Sequence, residues 1–228
     1  MNQSTPSTMS LFDAINQRRS IRGFMPTPIP EQTLNDIFSA AGKAPSNCNI
    51  QPWKVFLAKG AATSELREKM RAAAETLTPT PDYASPRPFP PEYRTRQIDC
   101  AVALYEELGI GREDKEARAH AAMRNFEFFD APYVLFIGMD AKFGASVALD
   151  VGMYAQNLML AMTAHGIGCC AQGALRQYPQ VVRDFFDIDD SINILMGLSF
   201  GYEDSSHPAN RTRVGREKVT TYLQVRDR

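Results

Sequence analysis

Three arginines and a serine fall within five residues near the start of the chain: Arg18, Arg19, Ser20 and Arg22. Guanidiniums make bidentate, charge-assisted bonds to oxyanions, and a hydroxyl adds a neutral donor. Such a set can hold a phosphate. It can also be a basic helix C-terminus that complements the macrodipole, but that role uses one or two arginines, not three around a serine. A second set lies between two prolines, in the stretch from Ala44 to Trp53. Pro45 and Pro52 fix φ, so little entropy is lost in holding Ser46, Asn47, Asn49 and Gln51. Four polar side chains held this way suit a surface that hydrogen-bonds a ligand; a turn joined to a helix cap is the plainer reading.

Three further stretches can join this chemistry. Residues 166–173 are glycine-rich but fail G-x-G-x-x-G, because Ala171 stands at the third glycine position, so the dinucleotide fingerprint is weak. Cys169 and Cys170 fit a packed strand, and His165 fits a helix cap before Gly166. Arg211 and Arg213 alternate along a polar segment after Gly201, either as a solvated tail or as a second arm closing on the phosphate of Arg18 and Ser20. Residues 78–94 are proline-rich and carry Tyr83, Phe89 and Tyr93. They form a linker or an active-site cover whose aromatics stack on an aromatic substrate.

The elements that must position these groups follow from periodicity. Ser10 caps a short helix ending near Arg18, and Pro30 opens a second with Leu34, Ile37, Phe38 and Ala41 on its buried stripe. A strand spans 53–58, an exposed helix 62–77, and two more helices 97–108 and 113–129. The run 133–137 suits a strand buried on both faces. Residues 147–165 are apolar nearly all round, so this helix packs on the core and on something else, which a second subunit supplies. A glycine-rich strand, a short helix at 179–186 and a strand at 192–200 follow, and 219–225 are apolar enough to pack on a partner chain. The order predicts an α+β domain with a sheet of about four strands and helices on both sides.

Composition excludes several classes. The chain has 228 residues, 44% hydrophobic and 22% charged, with a net charge of −1, which suits one globular domain and no nucleic acid partner. Four cysteines lack C-x-x-C spacing and three histidines lack H-E-x-x-H, so no metal site or disulfide framework is expected. Residues 1–10 are polar, which predicts a disordered lead-in and no signal peptide; the longest apolar run is broken by Asn157 and His165, which argues against a membrane span. A cytoplasmic protein is expected.

Taken in order, the motifs resemble those of the FMN-dependent nitroreductase family, in its nitroaromatic- or nitrobenzoate-reductase-like branch. The resemblance rests on Arg18 to Arg22, Ala44 to Trp53, Asn125 before the run Phe128 to Pro132, Gly166 to Gly173, Gly201-Tyr202 and Arg211 to Arg213. It implies an α+β fold with a central mixed sheet of four to five strands flanked by helices, in an intertwined homodimer with two FMN sites at the interface. Residues 11–228 would be a single FMN-binding domain, with 78–94 as a lid and 202–228 as an arm packing on the partner. Arg18, Arg19 and Ser20, joined by Arg211 or Arg213, would hold the FMN phosphate, and Arg22 would reach the flavin N1 and O2, where a cation favours hydride acceptance. Pro45, Ser46, Asn47 and Asn49 would come from the other subunit, with Gln51 joining them or bracing the loop. Ala171, Gln172 and Gly173 would lie against the flavin edge, with a backbone N–H to N5, and Asn125 near the pyrimidine edge. Gln172 stands where many members have an acid, which removes a charge near the flavin.

The implied reaction is a ping-pong exchange. NADPH or NADH delivers a hydride to flavin N5 and leaves, and a small nitroaromatic takes its place, with no side-chain catalyst required. Quinone, enone or haloaromatic reduction on the same fold, and a non-catalytic flavin-binding protein, stay open as alternatives.

Overall fold

The computed structural model describes residues 9–84 and 88–227. Two helices lead, α1 (Leu11–Gln17) and α2 (Glu31–Ala41). Strand β1 (Lys54–Lys59) is followed by three helices, α3 (Ala61–Thr76), α4 (Pro91–Glu107) and α5 (Lys115–Met123). Next come β2 (Tyr133–Asp140), α6 (Ala145–Ala164) and β3 (Gly168–Gln172), then α7 (Pro179–Phe186), β4 (Ile192–Gly201) and α8 (Val219–Tyr222). The strands form one sheet in the order β1-β2-β4-β3, each neighbouring pair antiparallel. The only parallel contact among the described residues is the single bridge between Ser20 and Cys169, on the outer edge of β3. The expected mixed sheet is thus four antiparallel strands plus one parallel contact at a fifth position.

Alternation along β2 sorts the core into two layers. Tyr133, Leu135, Ile137 and Met139 face α2 and α6, where Ile37, Tyr154, Leu158 and Met162 meet them. Val134 and Phe136 face α3 and α7 and meet Leu66, Met70 and Val182. The register slips between Ile137 and Gly138, which pair with Met196 and Ile194, so Leu195 is an extra residue. That bulge lets Ile194 serve one layer while Leu198 and Phe200 serve the other.

Helix boundaries differ from expectation in two places. Helix α4 begins at Pro91 rather than at 97, because proline is tolerated in the first turn, where its missing N–H has no intrahelical partner. Helix α5 stops at Met123 rather than 129: Phe128, Phe129 and Asp130 take left-handed φ of 57°, 53° and 59° and turn the chain into β2. Most of the polar lead-in, residues 1–8, lies outside the described residues, as do 85–87 of the proline-rich stretch. Among the described residues no helix is long and apolar enough to cross a membrane.

Candidate functional site

The Ser20–Cys169 bridge builds the site. After α1 the chain runs along the outer edge of β3, with the Ile21 N–H donating to the Cys169 carbonyl at 2.9 Å. The approach is close because residue 168 is glycine: a Cβ there would lie 2.7 Å from Ile21 Cγ1. Arg18, Arg19, Ser20 and Arg22 are thereby strung along one wall of a groove of about 1190 Å³. Arg213 and Arg216 line it from the C-terminal segment, Cys100 from α4, and Gln156, Met159 and Thr163 from α6. Ala171 forms part of its lining and is exposed. Because Cys169 turns its carbonyl outward, Ala171, two residues on, also turns its backbone N–H outward.

The groove is strongly cationic. Five arginines line it against one carboxylate, Glu203. Arg19 Nη2 donates to both Glu203 oxygens, at 2.5 and 2.6 Å, and this pins the start of the arginine segment to the chain after β4. Arg19 Nη1 and Thr212 Oγ1 are buried with no partner. Both residues line the groove, so the site offers unsatisfied polar atoms beside four further guanidiniums.

Other expected site residues are placed elsewhere. Arg211 turns away to Glu107 on α4 at 2.8 Å and does not line the groove, whereas Arg213 does. Gln172 is buried behind β3: its Nε2 donates to the Asn125 carbonyl at 2.8 Å, and its Oε1 accepts from Ser199. Gln172 and Asn125 therefore brace the end of the strand from the side away from the groove, and Gly173 begins the turn that follows. The 44–53 loop is also outside this groove. Pro45, Asn47, Asn49 and Gln51 are exposed, and Ser46 Oγ accepts the Gln51 N–H at 3.0 Å. Cys48, Asn49 and Gln51 have φ of 49°, 58° and 48°, and the Asn47 N–H donates to Asp150 of α6 at 3.0 Å.

The three aromatics of the proline-rich stretch do not meet at the groove. Its first half is fastened to the body: Asp82 pairs with Arg183 at 2.7 Å and accepts the Ile194 N–H at 2.7 Å, and Tyr83 donates to the Phe143 carbonyl at 3.3 Å. Phe89 is half-buried. Tyr93 is 51% exposed, with the Arg96 guanidinium 4.9 Å from its ring centre. Among the described residues no cluster of three or more His, Cys, Asp or Glu could hold a metal ion.

The family model described as "Nitroreductase family" matches residues 15–202. The chain belongs to the nitroreductase family. Nitroreductase NfnB of Mycolicibacterium smegmatis is 37% identical over 203 residues, which cover 89% of this chain and 86% of that one. The 4-nitrobenzoate reductase of Pseudomonas putida is 33% identical, over 90% of this chain and 91% of its own. Among solved structures, the FMN and NADPH-dependent nitroreductase NfnB from Sphigopyxis sp. strain HMH superposes with a TM-score of 0.92 at 30% identity, covering 96% of this chain and all of that one.

In this nitroreductase two residues that carry the site left no local signal in the sequence. Buried Asn210 accepts the Arg22 N–H at 2.7 Å and donates to the carbonyls of Gly23 and Asp204, each at 2.8 Å. Glu203 pairs with Arg19 across 184 residues. Only the polar run after Gly201 pointed to that region, and it drew attention to its arginines.

The vicinal thiols Cys169 and Cys170 are buried in β3. Burial pushes Cys169 up to about 12 and raises Cys170 as well, although the nearby Arg22 and Arg18 oppose it at Cys170. A thiol whose pKa is raised stays protonated below that pH. Alkylation of the folded protein at pH 8, read by peptide mass spectrometry, is therefore expected to leave Cys169 and Cys170 unlabelled, whereas unfolding exposes both.

Proposed function

We propose that this chain is an FMN-dependent NAD(P)H oxidoreductase that reduces nitroaromatic compounds as a homodimer. The observation that carries the reading is the cationic groove beside β3, with Arg19 Nη1 and Thr212 Oγ1 buried and unpartnered in it. Such donors beside several guanidiniums fit a phosphate dianion, and the exposed edge at Ala171 leaves room for a flat ring. FMN and NADPH dependence in the Sphigopyxis relative, and 4-nitrobenzoate as substrate of the Pseudomonas relative, support the same cofactor and substrate class.

Arg18, Arg19, Ser20 and Arg213 hold the phosphate, and Arg22 places its charge at the pyrimidine edge. The outward N–H near Ala171 and Gly173 meets ring N5, while Asn125 and Gln172 keep that strand end fixed from behind. Bound FMN supplies a ring that takes a hydride from NADPH or NADH and gives it to the next ligand. Fixed positive charge along one wall lowers the cost of the negative charge that hydride transfer brings. One groove serves both ligands, so donor and nitroarene bind in turn.

A second copy completes the site. Leu11 is 64% exposed, Phe12 75%, Leu149 70% and Val225 78%, large apolar side chains that a second copy would cover. Pro45, Ser46, Asn47 and Asn49 lie outside their own groove, so they serve the partner's FMN; Gln51 braces the loop, donating to the Asn49 carbonyl at 3.2 Å. Residues 11–228 act as one domain; residues 203–211 are held on their own chain through Glu203, Asn210 and Arg211, and the arm that follows packs on the partner. Phe89 and exposed Tyr93 lie outside their own groove and are left to stack on substrate, whereas Tyr83 is committed to Phe143. Four free cysteines suit the cytoplasm.

Anaerobic addition of NADPH or NADH should bleach the yellow protein, and a nitroaromatic should restore the colour. Initial rates with both substrates varied should give parallel double-reciprocal lines. Intersecting lines overturn the alternation, and a preparation that takes up no FMN overturns the cofactor.

A further inference from the structure

The loop that carries Ser46, Asn47 and Asn49 has an unusual backbone. Three non-glycine residues in four positions, Cys48, Asn49 and Gln51, take left-handed φ. Such conformations are disfavoured for residues with a Cβ, and they persist only where surrounding contacts over-determine them. Several of those contacts lie within the loop: the Asn49 N–H donates to the Ser46 carbonyl at 3.0 Å, the Ile50 N–H to the Asn47 carbonyl at 3.1 Å, and the Gln51 N–H to Ser46 Oγ at 3.0 Å. They give the loop its shape. They do not fix where it stands.

Its place is fixed by α6. The Asn47 N–H donates to Asp150 Oδ2 at 3.0 Å, and Trp53, at the loop's end, stacks on Tyr154 with ring centres 4.9 Å apart and planes 20° from parallel. Asp150 and Tyr154 are four residues apart and so stand on one face of the helix. Asp150 is 5% exposed, and the other buried residues of the helix are Val151, Tyr154, Ala155, Leu158 and Met162. Burying a carboxylate there is unfavourable, and its one hydrogen bond among the described residues is the Asn47 N–H. A leucine would pack in that place but could not hold the loop.

We infer that Asp150 is a positioning residue, holding the 46–51 loop in the one placement from which its amides reach the FMN of the second copy. The inference rests on the FMN-homodimer reading above. Asp150 touches neither ligand in that reading; it acts through Asn47, in trans, on the neighbour's cofactor.

The test uses the full-length protein with FMN bound, carrying Asp150→Ala or Asp150→Asn. Release of FMN is followed by the rise in flavin fluorescence on dilution, and the visible spectrum of the bound flavin is recorded. Asp150→Ala is expected to release FMN about tenfold faster, the effect of losing one charge-assisted hydrogen bond, and to shift the bound-flavin spectrum toward that of free FMN. Asp150→Asn, whose amide oxygen can still accept the Asn47 N–H, is expected to restore most of the retention and the unshifted spectrum. A hybrid dimer with Arg18→Ala in one copy and Asp150→Ala in the other isolates the action in trans. One of its sites then carries both defects and the other carries neither, so half of the FMN leaves at the unmodified rate. Unmodified release and spectrum in Asp150→Ala, or a hybrid with no slow fraction, overturns this inference alone. A parent protein that binds no FMN overturns it together with the cofactor reading.

Discussion

Asn210→Ala is expected to lower the unfolding free energy by about 3 kcal/mol and to weaken FMN retention at least roughly tenfold. The side chain is 3% exposed and makes three hydrogen bonds to backbone groups of two different arms. Its loss strands the Arg22 N–H, and a buried polar group without a partner costs about 1–3 kcal/mol, whereas the Asp204 carbonyl keeps the His207 N–H at 3.2 Å. The Gly23 carbonyl is less affected, because it also accepts the Asp204 N–H at 3.1 Å. Both arms of the cradle loosen together: Arg213 Nη1 rests on the Asn210 carbonyl at 2.9 Å, and Arg22 follows its own backbone. Denaturant unfolding checks the first effect, and FMN fluorescence titration checks the second. An intact stability with unchanged FMN affinity would sink the assignment of Asn210 as the clasp between the arms.

Arg18→Ala and Arg22→Ala are expected to separate cofactor retention from reduction. Both residues line the groove, and both charges act on the Cys170 thiol, so they stand within one short stretch of the β3 edge. In the proposed site Arg18 would meet the phosphate, where a charge-assisted pair is worth about 1.5–3 kcal/mol; its loss should weaken FMN binding by about 10- to 100-fold. In the proposed site Arg22 would stand where charge develops on hydride transfer, and a donor so placed is worth about 3 kcal/mol to the rate. Arg22→Ala should therefore keep most of its FMN but reduce it about 100-fold more slowly in anaerobic stopped flow. Equal FMN loss in the two variants would contradict the division of roles.

What could be read from residues alone follows the range of the interactions. Strand β4 and helix α7 are written in local periodicity and turn residues, and their bounds match closely; β2 starts where expected at Tyr133 but runs three residues past 137, to Asp140. The arginine cluster and the amide loop were also legible, because each is a dense local set. The direction of each side chain was not. Gln172 lies in the same strand as Ala171, and pleating sends it to the opposite face, toward Asn125 and Ser199. The choice between Arg211 and Arg213 turns on Glu107, a residue 104 positions away. Asn210 and Glu203 were invisible for the same reason: their partners are fixed by how the C-terminal segment crosses the start of the chain. The early start of α4 hid behind Pro90 and Pro91, which read as loop until a proline's tolerance of the first helical turn is weighed.

The position of the arginine segment has a consequence for solubility as well. Strand β3 is an edge of the sheet, and an uncovered edge presents a row of unpaired donors and acceptors to any other chain. Ser20 and Ile21 occupy that row at Cys169, and the flanking Arg18, Arg19 and Arg22 surround it with like charge that repels a second strand. The opposite edge, β1, begins and ends in exposed Lys54 and Lys59. The residues that make the cradle thus also guard the sheet against edge-to-edge growth, so a variant that detaches this segment would bare a template for aggregation.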